Sequence, residues 1–388
     1  MEKIVVFGAG NIGRSFIGPV FGDAGYEVVF ADIDESILTA LNDRNAYAVV
    51  EKADGQPDRV TRVSPVRGIH ANDQVAVERE LAEARIAATA VGDRAFDAVV
   101  RTIGSAVSTR HEPLDVILAE NLHRASERAR SVLSEEKNTW DAFGGSLGLV
   151  ESSIGKMVPI VPADVRAHDP LICWAEPYNT LLVDAAGFLN TIPAVADLRP
   201  VAPFAPWVER KLYIHNLGHA ATAYLGYRDH PDAVFLWEVL EDPALIDRVR
   251  SVMVRSAEAL WIRHPESFSE DALIDHVEDL LRRFRNRTLG DTVYRVGRDL
   301  GRKLRRDDRI VGAIRSIMEA DLDPGPLIEV FQAATGFTKR DPAGNRHPED
   351  VQFLETFHDR GAAWLLRDVV GLTADDADLM RLLERAVG

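Results

Sequence analysis

The stretch Lys3-Ile-Val-Val-Phe-Gly-Ala-Gly-Asn-Ile-Gly-Arg14 decides the fold of the first half of this 388-residue chain. Its apolar, β-branched beginning predicts a strand over Lys3–Phe7, and the glycines that follow have the spacing G-x-G-x-x-G. The first glycine permits a tight turn, the second lets a pyrophosphate approach the backbone, and the third lets helix and strand pack closely. The following helix directs free N–H groups towards phosphates. The predicted dinucleotide contacts from this turn are Gly8, Gly10, Asn11, Ile12 and Gly13.

An acidic residue at the end of the second predicted strand, Tyr26–Ala31, indicates which dinucleotide binds. Asp32 lies 19 residues beyond Gly13, and its carboxylate can accept hydrogen bonds from both adenosine ribose hydroxyls. It would repel a 2′-phosphate, and no arginine follows it to bind one, so the predicted cofactor is NAD. The alternative is a structural glycine-rich turn that binds no ligand.

Strands and helices alternate along the rest of the first half, with one predicted helix that begins at Asp34-Glu35-Ser36 by N-capping and another over residues 95–109. This alternation predicts an α/β domain of the Rossmann type, with a doubly wound parallel sheet covered on both faces. Residues 46–69 alternate polar and apolar side chains around Asp54-Gly55 and Pro57, which predicts an inserted β-hairpin. We expect Thr89 and Val91, in the buried strand of residues 85–92, to contact the cofactor.

The strand of residues 116–119 is followed by Glu120-Asn121. Ligands of doubly wound sheets bind outside the carboxyl ends of the strands, so Asn121 is a candidate contact for substrate or nicotinamide. Asn121 could equally be the N-cap of the next helix, and both functions are compatible.

Prolines mark a boundary near residues 190–206, and helical periodicity dominates from there to the C-terminus. We therefore predict two domains, a nucleotide-binding domain over residues 1–195 and an α-helical substrate-binding domain over residues 196–388. The prolines concerned are Pro193, Pro200, Pro203 and Pro206.

Three polar residues interrupt an apolar helical stretch near the start of the second half. On a regular α-helix, Lys211, Asn216 and His219 fall within an arc of roughly 140°. This face combines an amine, an amide and an imidazole among apolar neighbours, as expected of a general base with hydrogen-bonding partners. The alternative is an amphipathic helix whose lysine extends to solvent beside a satisfied core histidine.

Two other patterns in the helical half could bind ligands. Arg295, Arg298 and Arg302, with Lys303 beside them, are spaced to share one face of a helix, where guanidiniums could bind a phosphate or carboxylate. A solvated basic face paired with surface acids is equally open. His215 and His219 have a spacing that can bind zinc, but no third ligand is evident, so we predict a metal-free site.

Composition excludes several other classes of function. The net charge is −16, from 61 acidic and 45 basic residues, which disfavours nucleic acid and anionic membrane as partners. No apolar run approaches the ~18 residues of a membrane span. The single cysteine, Cys173, and the absence of a leader pattern predict a cytoplasmic protein, with Cys173 a buried residue and no nucleophile. The oligomeric state, monomer or dimer, is not indicated.

Taken in order, Gly8-Ala-Gly-Asn-Ile-Gly-Arg, Ala119-Glu-Asn-Leu and Lys211-x-x-x-x-Asn216-x-x-His219 resemble the polyol-specific long-chain dehydrogenases over nearly the whole chain. The resemblance implies metal-independent, NAD-linked hydride transfer at a secondary alcohol, with Lys211 as general base. It further implies that Asn216 and Asn121 polarise the reacting oxygen and that His219 positions the substrate. One segment departs from the family pattern, because Gly155-Lys156 stands where the family usually has Asp-Arg.

The leading hypothesis is the interconversion of D-mannitol 1-phosphate and D-fructose 6-phosphate, with Arg298, Arg302 and Lys303 as substrate contacts. A second hypothesis keeps the chemistry but replaces the substrate by a hexuronate or aldonate, such as fructuronate or tagaturonate, or by a free polyol. The change at Gly155-Lys156 permits this. A third is a non-catalytic NAD-binding sensor, which would not need a buried amine beside two amides.

Overall fold

The structure, a computed structural model, describes residues 1–107, 110, 112–137, 145–159 and 161–387. Backbone contacts divide the chain into two compact units, Met1–Phe204 and Ala205–Gly388. This division falls within the proline-rich stretch of residues 190–206. The finer domain limit between residues 195 and 196 stays a prediction.

The first unit is built on a mainly parallel sheet. In the described residues its strands are β1 (Lys3–Phe7), β2 (Glu27–Asp32), β3 (Tyr47–Glu51), β4 (Arg59–Val63), β5 (Val66–His70), β6 (Ile86–Thr89), β7 (Leu114–Leu118), β8 (Leu147–Ser153), β9 (Cys173–Ala175), β10 (Leu181–Asp184) and β11 (Leu198–Val201). The large sheet has the order β11-β10-β8-β7-β6-β1-β2-β5. Its strands pair in parallel except for β10, which runs antiparallel to β8. The predicted Rossmann-type fold is confirmed.

Helices and apolar clusters cover the two faces of this sheet. Along β1, Val6 faces one cluster and Val5 faces the other, as the two-residue period of a strand requires. The predicted N-cap Asp34 is confirmed, because its carboxylate accepts hydrogen bonds from the backbone N–H groups of Ser36 and Ile37. The helices are α1 (Gly18–Gly22), α2 (Glu35–Arg44), α3 (Gln74–Glu83), α4 (Asp93–Val107), α5 (Ala125–Lys137) and α6 (Ala163–His168).

The hairpin predicted over residues 46–69 is only partly correct. Strands β3 and β4 do form an antiparallel pair, to which β9 adds in parallel. Strand β5 instead pairs in parallel with β2 at the edge of the large sheet. Gly68 explains this placement, since a side chain there would collide with Leu38 of α2, which packs directly on the strand. The helix predicted over residues 95–109 is α4; residues 108 and 109 lie outside the described residues.

The second unit is helical, as predicted. Its helices are α7 (Ala205–Arg210), α8 (Leu217–Asp229), α9 (Leu236–Val239), α10 (Pro243–Arg263), α11 (Glu270–Phe284), α12 (Val293–Gly297), α13 (Leu300–Lys303), α14 (Val311–Glu319), α15 (Gly325–Thr335), α16 (Pro348–Trp364) and α17 (Ala377–Val387). Helix α8 is central, since α10, α12 and α15 pack around it. Its segment of residues 220–226 is fully buried. Across the described ranges, no helix combines the length and apolar character needed to cross a bilayer.

Candidate functional site

In the glycine turn between β1 and the following helix, the first and third glycines have no space for a side chain, whereas the second has space. Gly8 has φ +99°, and a side chain there would collide with the carbonyl of Ala90. A side chain at Gly13 would collide with the carbonyl oxygen of Gly8. At Gly10, by contrast, a Cβ would meet nothing within 4 Å. Space for a phosphate therefore exists at the glycine where the backbone was predicted to meet one.

The strand register brings the predicted cofactor residues to one edge of the sheet. Phe7 at the end of β1 pairs with Ala31 of β2 on one side and with Thr89 of β6 on the other. Thr89 in turn pairs with Leu118 at the end of β7. The segments that follow these strands therefore begin at the same edge, where ligands of such sheets bind.

Asp32 is fixed against the glycine turn. Its Oδ2 accepts a hydrogen bond of 2.5 Å from the backbone N–H of Ala9, and its Oδ1 accepts two from Ile33 (2.7 Å) and Asp34 (3.0 Å). The side chain keeps partial exposure. The carboxylate is thus held against the glycine turn by three backbone N–H groups, and its contact with a ribose stays a prediction.

A cleft of about 530 Å³ opens beside the turn, lined in part by Gly10, Asn11 and Ile37. Arg14 also borders it but is nearly buried. Its guanidinium donates hydrogen bonds to the carbonyls of Ala9 (2.6 Å) and Pro170 (2.9 Å), and these bonds stabilise the turn.

A carboxylate that the sequence did not single out organises the end of β6. Buried Glu120 accepts hydrogen bonds from the backbone N–H groups of Val91 and Gly92, both at 2.9 Å. Burial raises the pKa of Glu120 above its ordinary value. Because Thr89 is fully buried and the Val91 amide is engaged here, their predicted contacts with a cofactor stay predictions. Asn121, the next residue along from Glu120, is exposed.

In the second unit, the segment that carries the candidate base is not a regular α-helix. Residues Lys211–Asn216 form a π-helical turn between α7 and α8, which corrects the expected continuous helix. Such single-turn insertions in α-helices occur frequently at functional sites. The partial exposure of individual side chains still supports the prediction that Lys211, Asn216 and His219 lie on one side of this segment. From Ile214 to Gly226 only Asn216 and His219 keep partial exposure, and Lys211 keeps it as well.

Lys211 has an amine suited to proton transfer near neutral pH. Burial is the main cause that lowers its pKa from 10.5 to about 8, and the guanidinium of Arg309 is the second. Arg309 is itself only 11% exposed and donates from Nε to Oδ1 of Asp308 at 2.8 Å. Lys211 as a whole keeps partial exposure, and its function as the general base stays a prediction.

His219 has a buried acidic partner. Its Nε2 lies 2.9 Å from Oδ2 of Asp291, and Oδ1 of that carboxylate pairs with the guanidinium of Arg295. The neighbouring His215 is buried, and burial together with Arg283 lowers its pKa well below the usual value. Among the residues that the structure describes, no three metal-ligating side chains assemble into a potential ion site.

The predicted arginine face is wrong, because the helix that should carry it is broken. Helix α12 ends at Gly297, and Asp299 has φ +73° before α13 begins. The buried carboxylate of Asp350 accepts hydrogen bonds from the backbone N–H groups of Asp299 (2.9 Å) and Leu300 (2.7 Å), which holds the break in place. Arg295 pairs with a carboxylate inside the unit.

The three predicted substrate contacts after α12 therefore differ in environment. Arg298 and Arg302 are exposed, and Arg302 pairs with Asp299. Lys303 is buried, and its amine donates to the carbonyls of Val296 and Arg298, both at 2.5 Å. Burial, followed by Arg309, lowers the pKa of Lys303 to about 7. Lys303 thus satisfies backbone carbonyl groups at the C-terminal end of α12.

The segment that departs from the family pattern belongs to a partly buried chain of hydrogen bonds in the first unit. Lys156 is 7% exposed and donates to Oδ1 of Asn179 at 2.8 Å, whose amide donates to Asp197 at 2.5 Å. A Cβ at Gly155 would lie 3.3 Å from the ring of Tyr178, so space for a larger side chain is restricted. Cys173 is buried, as predicted, and burial raises its pKa to about 11.

A glycine-rich turn at the edge of a parallel sheet and a lysine of lowered pKa in a helical unit are features expected of a dehydrogenase of the Rossmann class. Comparison with protein families identifies both halves. Residues 2–197 match the mannitol dehydrogenase Rossmann domain, and residues 204–368 match the mannitol dehydrogenase C-terminal domain. The chain belongs to the mannitol dehydrogenase family, and it is a polyol dehydrogenase.

Two bacterial relatives are named mannitol-1-phosphate 5-dehydrogenase. The one from Bacillus licheniformis is 32% identical over 376 residues, 95% of each chain. The one from Shouchella clausii is 36% identical over 349 residues, 88% of this chain and 90% of its own.

Two solved structures share the fold. Pseudomonas fluorescens mannitol 2-dehydrogenase, in a ternary complex with NAD and D-mannitol, has a TM-score of 0.75 at 17% identity and covers 99% of this chain and 91% of its own. A D-sorbitol dehydrogenase in substrate-free form has a TM-score of 0.74 at 15% identity, with 99% and 92% covered.

Sequence reasoning missed Glu120, Asp291 and Arg309. Glu120 had a usable signal, since it directly follows a buried strand at the ligand-binding edge. Asp291 had a weaker one, its i, i+4 spacing to Arg295, which predicts an ion pair but not a contact with His219. Arg309 has no local signal, because it lies far from Lys211 in the sequence and acts on it only in the folded unit.

Proposed function

We propose that this chain catalyses the reversible oxidation of D-mannitol 1-phosphate to D-fructose 6-phosphate with NAD. The observation that carries the proposal is the amine of the partly buried Lys211, whose pKa is lowered to about 8 and suits a general base near neutral pH. The substrate follows from the two relatives named mannitol-1-phosphate 5-dehydrogenase, which align over most of this chain.

NAD binds at the glycine turn of the first unit. The open space at Gly10 admits the pyrophosphate, and the carboxylate of Asp32 binds the adenosine ribose and disfavours NADP. The nicotinamide supplies the hydride acceptor when bound. The other predicted contacts from the turn and from β6 are Gly8, Asn11, Ile12, Gly13, Thr89 and Val91.

Lys211 accepts the hydroxyl proton as the alcohol is oxidised and returns it in the reverse direction. The amides of Asn216 and Asn121 donate hydrogen bonds to the reacting oxygen, which stabilises the negative charge that develops on it. His219 positions the substrate. A neutral amine, two neutral amides and a histidine suffice for this proton chemistry without a metal ion.

The phosphate of the substrate needs cationic partners. Arg298 and Arg302 are exposed and carry guanidiniums that can bind phosphate oxygens in pairs, so they are the proposed partners. Lys303, the third predicted substrate contact, is buried and donates to the backbone carbonyls of Val296 and Arg298, so its proposed part is to fix the segment that carries Arg298.

The second candidate keeps the chemistry but changes the substrate to a hexuronate or aldonate, or to a free polyol. Gly155-Lys156 favours it, because Lys156 is committed to Asn179 inside the first unit and Gly155 has no side chain to contact a substrate. Guanidiniums bind carboxylates as readily as phosphates.

A substrate panel tests the proposal. NADH formation or consumption is followed with D-mannitol 1-phosphate, D-mannitol, D-sorbitol, fructuronate and tagaturonate. The highest kcat/KM is expected for D-mannitol 1-phosphate. A higher value for a non-phosphorylated compound would identify the second candidate, and tight NADH binding without any turnover would identify an NAD-binding sensor.

A further inference from the structure

The loop that follows β6 packs against the glycine turn. This β6 loop comprises residues 90–92, between β6 and α4. The backbone N–H of Ala90 donates to the carbonyl of Phe7 at 2.7 Å, and a side chain at Gly8 would collide with the carbonyl of Ala90. All three residues of the loop keep at least partial exposure. One side of the β6 loop is therefore accessible at the edge of the sheet where the glycine turn lies.

Glu120 holds the β6 loop from its buried side. Its Oε1 accepts a hydrogen bond from the backbone N–H of Val91, and its Oε2 accepts one from that of Gly92, both at 2.9 Å. Glu120 is only 5% exposed and lies two residues beyond the end of β7. Because each carboxylate oxygen accepts one bond from two successive N–H groups, both the position and the orientation of the β6 loop are fixed.

These two hydrogen bonds supply partners that the secondary structure does not. The strand pairing of β6 ends at Thr89, and α4 begins at Asp93. Gly92 has φ +78°, a conformation that glycine adopts readily and other residues adopt rarely. A short loop with such a glycine has alternative conformations, and backbone N–H groups with a buried acceptor favour one of them. Glu120 therefore selects the conformation of the β6 loop.

We propose that Glu120 is a positioning residue for NAD, because it holds the β6 loop in the conformation that forms one wall of the cofactor site beside the glycine turn. The inference rests on the proposed function, in which NAD binds at that turn and Val91 contacts it. Glu120 acts through the loop, since its carboxylate engages the N–H groups of Val91 and Gly92. The pyrophosphate is bound by the glycine turn, and the β6 loop contributes its exposed side.

Glu120→Gln tests the proposal with a side chain of the same shape. The amide has one acceptor and one donor, so one of the two backbone N–H groups loses its acceptor and faces an NH₂ group. We expect the Kd for NADH, measured by fluorescence titration, to rise roughly tenfold or more, the range for losing a hydrogen bond to a charged group. The KM for NAD should rise with it, and kcat at saturating NAD should change far less. An unchanged Kd in a folded Glu120→Gln protein overturns the proposal.

A matched control lies on the same strand. Asp115 of β7 is 2% exposed and accepts hydrogen bonds from the backbone N–H groups of Leu189 (2.7 Å) and Asn190 (3.1 Å). It lies at the opposite end of β7 from the ligand-binding edge. Asp115→Asn should lower Tm about as much as Glu120→Gln does, but should leave the Kd for NADH within about twofold. Equal weakening of NADH binding by both variants would show a general loss of structure and overturn the proposal.

Protonation of Glu120 should weaken cofactor binding as the substitution does. Burial raises the pKa of Glu120, the two backbone N–H groups oppose this, and the charge of Asp93, which pairs with Arg128, acts in the same direction as burial. A protonated carboxyl loses one of its acceptor oxygens, so the contribution of Glu120 is present above this pKa and is lost as the pH falls through it.

The probe for this pH dependence is ADP-ribose, which has the adenosine and pyrophosphate of NAD, and its Kd is measured by calorimetry from pH 8 towards pH 5. The Kd should rise more steeply in the unmodified protein than in Glu120→Gln. All other titrating groups are the same in both proteins, so the difference belongs to Glu120, and identical profiles overturn the proposal. An unmodified protein that binds neither ADP-ribose nor NADH would refute the proposed function as well, whereas normal binding that is insensitive to Glu120→Gln refutes this inference alone.

Discussion

Replacing Arg309 by glutamine should raise the pKa of Lys211 and slow polyol oxidation at neutral pH. Lys211 must be neutral to accept the proton, so oxidation should rise with pH and level off above about 8, the pKa of the amine. The reverse reaction needs the charged amine and should fall above the same pH. At pH 7, roughly one tenth of such lysines are neutral, against about one in 3000 for a pKa of 10.5, a gain of roughly 300-fold.

Arg309 is responsible for less than half of the shift from 10.5 to about 8, because burial is the larger cause. We therefore expect Arg309→Gln to move the pH limb upwards by about half a unit to one unit. The value of kcat/KM should fall about 3- to 10-fold at pH 7 and approach that of the unmodified protein near pH 10, where both amines are neutral.

The assay is the pH profile of kcat/KM for NADH formation, with a deuterium isotope effect at the carbinol carbon to show that hydride transfer limits the rate. Arg309→Lys, which retains the charge, should restore most of the profile. Arg315→Gln is the control, since Arg315 belongs to α14, pairs with Asp307 and does not act on Lys211. A limb that stays near pH 8 in a folded Arg309→Gln protein would refute the reasoning.

Three further changes test the two units separately. Gly13→Ala should lower Tm, because its Cβ collides with the backbone of the glycine turn, whereas Gly10→Ala should leave Tm unchanged and weaken NADH binding, seen by thermal melts and fluorescence titration. Asp32→Ser should raise the Kd for NADH at least about tenfold and bring the affinities for NADH and NADPH closer together. An unchanged NADH affinity would contradict the ribose contact. Gly297→Ala should destabilise the second unit by about 1–3 kcal/mol in urea melts, since its Cβ collides with the ring of Phe337.

Features that depend on a few neighbouring residues could be predicted from the sequence. Strand β1 has the predicted bounds Lys3–Phe7, and the glycine turn and the cap at Asp34 form where expected. Each rests on local conformational preference, which the chain carries in a short window. The shared partial exposure of Asn216 and His219 was also predictable from spacing, even though a π-helical turn replaced the regular helix.

The predictions that were wrong concern segments whose structure depends on contacts with residues distant in the sequence. The arginine face from Arg295 to Arg302 has a helical pattern, yet Asp350 on α16 binds the backbone of Asp299 and ends the helix. Strand β5 alternates as a hairpin strand would, and only its packing against α2 assigns it to the large sheet. Periodicity along one segment contains no information on such distant contacts.

The most direct test of Lys211 as the general base is a single-turnover measurement with Lys211→Ala. Enzyme in excess of D-mannitol 1-phosphate is mixed with NAD at pH 8, and NADH is followed by absorbance, with the Kd for NADH measured in parallel. The unmodified protein should form NADH in one rapid phase, and Lys211→Ala should form none on that timescale while it binds NADH with nearly unchanged affinity. NADH formation by Lys211→Ala at the unmodified rate would contradict the account.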